Sequence, residues 1–74
     1  VKNIEDIVDV INRKNFQYNT RIIKFILNLD EIQFSFLLNN IPIDKSNELF
    51  HLAISNNYHQ IIEYKNNIEV IKID

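Results

Sequence analysis

Residues 49–64 read LFHLAISNNYHQIIEY. Apolar side chains recur at helical spacing on both sides of Asn56 and Asn57, which describes two short helices joined by a tight turn. The chain contains no Gly at all. Asn is the next most tolerant residue of left-handed backbone, so the pairs at 39–40, 56–57 and 66–67 are expected to end helices in its place.

Working outward from this stretch, a shift of 27 residues lays the sequence on itself. Asn3, Asp30 and Asn57 align, and three positions later so do Asp6, Gln33 and Gln60. Each set pairs an N-cap residue with an acid or amide at N3, close to a capping box. Ile7, Phe34 and Ile61 then align, followed by Val10, Leu37 and Tyr64. The same shift superposes TRIIKFILN on NELFHLAIS, with Ile22 on Leu49, Ile23 on Phe50, Phe25 on Leu52, Ile26 on Ala53 and Leu27 on Ile54.

This pattern predicts helices over about 4–14, 21–28, 31–39, 47–55 and 58–66, with an extended, β-branched tail NIEVIKID. The expected fold class is all-α: stacked antiparallel helical hairpins, an α-solenoid of about two and a half repeats of 27 residues in a single domain over 1–74. Repeat ends normally carry a polar capping face, yet Ile4, Ile7, Ile11 and the tail isoleucines are apolar. That points to a fragment of a longer array, a partner over the ends, or self-association.

A chain of 74 residues buries only roughly 60% of its unfolded surface. It has no Cys for disulfides, so packing must carry its stability. The longest nearly apolar run, IIKFILNL, is far short of the roughly 20 residues of a membrane span. The expectation is a protein without membrane contact, inside a cell, in its own or a host's cytoplasm. Eight basic and ten acidic residues give a net charge of −2, which argues against a nucleic-acid binder. The positive charge gathers early, in Lys2, Arg13, Lys14, Arg21 and Lys24. Frequent Asn and Ile, both read by A/T-rich codons, suggest an AT-rich genome.

No catalytic signature is legible, and the expectation is a chain that is not an enzyme and binds no cofactor. His51, His59 and Glu63 fall short of a clear metal ligand set. Ser55, His59 and Asp30 form a hydrolase arrangement only on paper, without a nucleophile elbow. Phe16 and Tyr18, in the polar stretch RKNFQYN, are expected to plug the groove between two hairpins. Phe36 aligns with Asp9 and Glu63 and is expected on a solvent face.

The stretch ELFHLAISNNYHQIIEY resembles the helical half of an ankyrin repeat, with Phe50, His51 and Ala53 on its L-H-x-A and Ile61 and Ile62 on its I-V. Glu48 and Leu49 stand where Thr and Pro are usual, and Asn57 where Gly is. The resemblance implies a protein-protein interaction module that binds a partner protein through a concave repeat surface, with His51 bonded to loop backbone. Its implied contact residues are Asp44, Ser46, Asn47, Leu49, Asn57 and Tyr58. The alternative is a structural piece of a larger assembly, joined through the apolar ends and the tail.

Overall fold

The computed structural model describes the backbone of residues 3–73 and the side chains of residues 3–67. Lys2 and the side chains of Ile68, Ile71 and Ile73, all singled out above, lie outside these. Five helices follow one another: α1 Ile4–Ile11, α2 Thr20–Leu27, α3 Glu31–Asn39, α4 Ile43–Asn56 and α5 His59–Ile73. The described residues contain no strand, so the fold is all-α.

Local capping chemistry starts three of these helices. Asn3 Oδ1 accepts from Asp6 N at 3.1 Å, and Asn19 Oδ1 accepts from Ile22 N at 3.0 Å. Asp30 and Gln33 form a complete capping box, with bonds of 2.8 and 3.1 Å. Each bond satisfies an amide that the helix itself leaves without a partner.

Asn ends the helices too, mostly by a route other than positive φ. Of the described residues only Asn57 is left-handed, at φ 58. Asn12, Asn28, Asn40 and Asn56 instead donate their side-chain amides to the carbonyls of Val8, Lys24, Phe36 and Leu52, at 2.7–2.9 Å. Those carbonyls belong to last turns, where acceptors are otherwise exposed. A Gly could not have done this, because it has no side chain to donate.

Three expected boundaries move, the first being the end of α1, which stops at Ile11 and not at about 14. Helix α4 begins at Ile43 and not at 47, because Pro42 occupies the N-cap with an extended backbone and its carbonyl accepts from Lys45 N and Ser46 N. Helix α5 runs on to Ile73, so residues 67–73 of the tail are helical and not extended, and Asp74 lies outside the described residues. Ile and Val are only weakly unfavourable in helices, and no Gly or Pro interrupts this segment.

The core is aliphatic with one central aromatic. Ile7, Phe34 and Ile61 are fully buried, as are Ile11, Leu37, Leu49 and Ile26. Helix α1 packs on α3, α3 on α5, and α4 on α5. Gln60 Nε2 and Tyr64 Oη both donate to the Leu29 carbonyl, at 3.1 and 3.3 Å, tying the α2–α3 turn to α5. Phe36 is 42% exposed, and Ile32, one turn earlier on α3, is 82% exposed. No helix among the described residues is long and apolar enough to cross a membrane.

Phe16 and Tyr18 fill the junction between the segment before α2 and the start of α4. Their rings meet edge to face at 4.9 Å, Tyr18 Oη donates to the Lys45 carbonyl at 2.8 Å, and Lys45 Nζ donates to the Phe16 carbonyl at 3.1 Å. Burial, then the negative charges of Glu48 and Asp44, hold the Tyr18 phenol well above its ordinary value of about 10. A phenol whose folded value is raised stabilises the fold fully at neutral pH. Above about pH 10 the unfolded chain loses its proton first, and that contribution declines. Tyr18→Phe is therefore expected to lose about 1 kcal/mol at pH 7, and to flatten the alkaline fall of stability. Urea unfolding between neutral pH and about pH 11 checks both parts.

Candidate functional site

Three helix ends meet at one end of the molecule. Asn3 precedes α1, Asn28 closes α2 and Gln33 lies in the first turn of α3, and each is placed there by its own local capping bond. Between them opens a cleft of about 320 Å³, completed by Ile4, Phe25 and Leu29. Leu29 is buried, and Ile4 and Phe25 are half-buried. Carboxamides thus stand beside an apolar surface.

The electrostatics of this end combine opposing terms, and the negative carbonyl end of α2, which Asn28 closes, stands with those that oppose an anion. The first turns of α1 and α3 present backbone N–H groups and the positive ends of helix dipoles. Glu5, Asp6, Asp30 and Glu31, all exposed, add four carboxylates around those same turns. A bare polyanion is opposed by the carboxylates, whereas a neutral polyol, or an anion accompanied by a cation, meets a compatible surface. The Gln33 carboxamide spends Oε1 on Asp30 N and keeps its NH₂ as a donor. Such an arrangement can take sugar hydroxyls on its amides and a ring face on Phe25 and Leu29.

The residues expected to contact a partner lie elsewhere, on α4 and the turn after it, and the structure scatters them by depth. Asp44 and Asn47 are exposed, Ser46 and Leu49 are buried, and Tyr58 is half-buried. Leu49 is part of the core and offers no surface. Asn57 supplies the left-handed residue that lets α4 turn into α5. His51 and His59 are exposed, and among the described residues no group of three His, Cys, Asp or Glu is placed to hold a metal. Asp30, the acid of the paper triad, is committed to capping α3.

In the sequence Asn3 and Gln33 read as caps, Phe25 as one member of an apolar repeat, and Asn28 as no more than the end of a helix. What joins them is long-range packing, which the sequence does not display.

The family described as PRTase ComF-like matches residues 1–71 of this sequence. The chain belongs to the PRTase ComF-like family. No curated protein matches it, and neither does any solved structure.

Membership of this phosphoribosyltransferase-like family corrects the ankyrin resemblance, and with it the expectation of a non-enzymatic protein-protein interaction module and of a chain that is not an enzyme. The physical source of the error is visible in the fold. Ala53 and Ile61 match because any antiparallel helix pair buries apolar residues at that spacing. Asn57 stands where the motif has Gly because any tight turn between such helices favours a left-handed residue. The part that would distinguish an ankyrin unit is missing, since α4 takes in residues 43–46 where a finger would project. The motif histidine, His51, is exposed.

Proposed function

We propose that the chain works in phosphoribosyl chemistry, as a phosphoribosyltransferase-like protein, and that the cleft formed by Asn3, Asn28 and Gln33 receives the phosphorylated sugar. The observation that carries this reading is the family match over residues 1–71. The cleft supports it by its composition, with amides for hydroxyls and an apolar face for the ring. The chain has no Gly, so the glycine-rich loop that often cradles phosphate cannot be built from it. Phosphate would instead meet the first-turn amides of α1 and α3. Because four carboxylates surround those turns, the sugar phosphate is expected to arrive with a divalent cation that offsets its charge.

In the same reading the helices form hairpins repeated at 27 residues, with α1, α3 and α5 as equivalent members and α2 and α4 as the others. The aligned burial of Ile7, Phe34 and Ile61 supports it. Such repetition would place the cleft at one end of a stack.

Calorimetric titration of the full chain with phosphoribosyl diphosphate and Mg²⁺ tests the proposal. A saturable heat is expected, weakened at least about tenfold in Asn28→Asp, which adds a charge where the sugar phosphate sits. No saturation at concentrations up to about 1 mM, or equal affinity in the variant, contradicts it.

A further inference from the structure

Among the described residues none of α5 lines the cleft, yet α5 holds a peptide group from which the cleft is built. In the sequence Gln60 aligns with Asp6 and Gln33 and reads as the N3 residue of a third cap. The structure uses it differently. The Gln60 amide reaches across to the α2–α3 connection, where Nε2 donates to the Leu29 carbonyl at 3.1 Å, and it also donates to Tyr64 Oη at 3.0 Å. Tyr64 Oη donates to the same carbonyl at 3.3 Å, so the three groups close a triangle.

The other side of that peptide group belongs to Gln33. The Leu29 carbonyl and the Asp30 N–H are parts of one planar unit and, across a trans bond, point in opposite directions. The Asp30 N–H donates to Gln33 Oε1 at 3.1 Å. A carboxamide whose oxygen is so engaged presents its NH₂ elsewhere, and the plane of this peptide therefore sets where the Gln33 donor points. Whatever fixes the carbonyl also fixes Gln33.

The brace on the carbonyl is itself anchored. The Tyr64 ring lies 5.5 Å from that of Phe34, which is fully buried. Asn67 Nδ2 donates to Glu31 Oε2 at 3.2 Å, a second tie from α5 to the first turn of α3. The connection so gripped is only Asn28, Leu29 and Asp30, and Asn28 and Leu29 both line the cleft.

We propose that Gln60 and Tyr64 are positioning residues of the cleft: they fix the plane of the Leu29–Asp30 peptide and through it aim the Gln33 amide at the ligand. The inference rests on the reading of the cleft as a sugar-phosphate site and names the residues that set its donor geometry. A donor held in place before binding loses less freedom when the ligand arrives, which favours affinity. The coupling is reciprocal, so a ligand bonded to Gln33 steadies α5 in return.

Tyr64→Phe tests this, because it keeps the ring against Phe34 and removes only the hydroxyl. Gln60→Met is the second variant, and far-UV circular dichroism checks that the helices of each persist. Calorimetric titration with phosphoribosyl diphosphate and Mg²⁺ is expected to show affinity lowered about threefold to tenfold in either, the equivalent of one hydrogen bond. In a Gln33→Met background the same Tyr64→Phe change is expected to cost nothing further, since the group it positions is gone. A residue that merely supported the fold would weaken both backgrounds alike. Unaltered affinity in both variants, or an equal loss with and without Gln33, overturns the proposal.

A measurement without ligand separates this inference from the reading it rests on. In the free ¹⁵N-labelled chain Tyr64→Phe is expected to move the signals of the Asp30 backbone amide and the Gln33 side-chain NH₂, and to leave the Asn3 side-chain NH₂ unmoved. Should the unmodified chain bind no phosphoribosyl diphosphate, the sugar-phosphate reading fails and these signals alone decide. Movement at Asp30 and Gln33 then supports the positioning, and unchanged signals overturn it.

Discussion

Leu49→Ala should lower the unfolding free energy by about 2–5 kcal/mol, the range for removing a fully buried leucine and leaving a cavity. Leu49 has 0% exposure and sits in the core cluster with Ile61, Ala53 and Phe34. At typical values per residue, a chain of 74 residues is stable by roughly 4–11 kcal/mol. The substitution therefore removes a large share of the total. It also separates two views of this residue, because a surface contact position would change stability by less than about 0.5 kcal/mol. Urea unfolding followed by far-UV circular dichroism reads the difference as a shift of midpoint at constant slope.

Phe34→Ala is expected to cost about 3–5 kcal/mol and to bring the chain close to unfolding at 25 °C. Phe34 is fully buried at the centre of the core. Its ring lies 5.5 Å from that of Tyr64, tilted by 43°. The loss reaches beyond the cavity, because Tyr64 Oη and Gln60 Nε2 both hold the Leu29 carbonyl, which belongs to the wall of the cleft. Loosening α3 from α5 should therefore weaken sugar-phosphate binding along with stability. Phe34→Leu keeps most of the buried volume and is expected to lose less than half as much, about 1–2 kcal/mol. Thermal unfolding of the two variants checks the order, and a Phe34→Ala chain as stable as the unmodified one would remove Phe34 from the core.

The parts of this fold that were legible in the sequence are those set within a few residues. Asn3 with Asp6, and Asp30 with Gln33, mark helix starts because a cap and its amide are three residues apart. Ile7, Phe34 and Ile61 were legible as equivalent core positions through their common spacing. The start of α4 was misplaced because Pro42 reads as a loop residue, although at an N-cap its fixed φ and missing N–H are no obstacle. The tail was misplaced because β-branched residues favour strands only weakly, and the end of α5 costs little to extend. Of the Asn residues read as substitutes for Gly, Asn57 does take the left-handed backbone, whereas Asn40 and Asn56 act through the side-chain amide, as Asn12 and Asn28 also do.

The candidate site was not legible, for a different reason. Asn3, Asn28 and Gln33 come together only because the start of α1, the end of α2 and the start of α3 line one cleft, and each residue has a sufficient local explanation in capping. The family likeness that did present itself rested on Phe50, His51, Ala53, Ile61 and Ile62, of which Ala53 and Ile61 are buried in this fold and would be apolar in any helical hairpin. Shared core spacing identified the all-α class and misdirected the function.

The most direct test of this reading is a titration of the uniformly ¹⁵N-labelled full chain with phosphoribosyl diphosphate and Mg²⁺, followed by amide chemical shifts. The account predicts progressive, saturating shifts gathered on Asn3, Ile4, Asn28 and Gln33, with Asp44, Asn47 and Tyr58 on the α4 side unmoved. Spectra that stay unchanged, or shifts centred on α4 instead of the cleft, would contradict it.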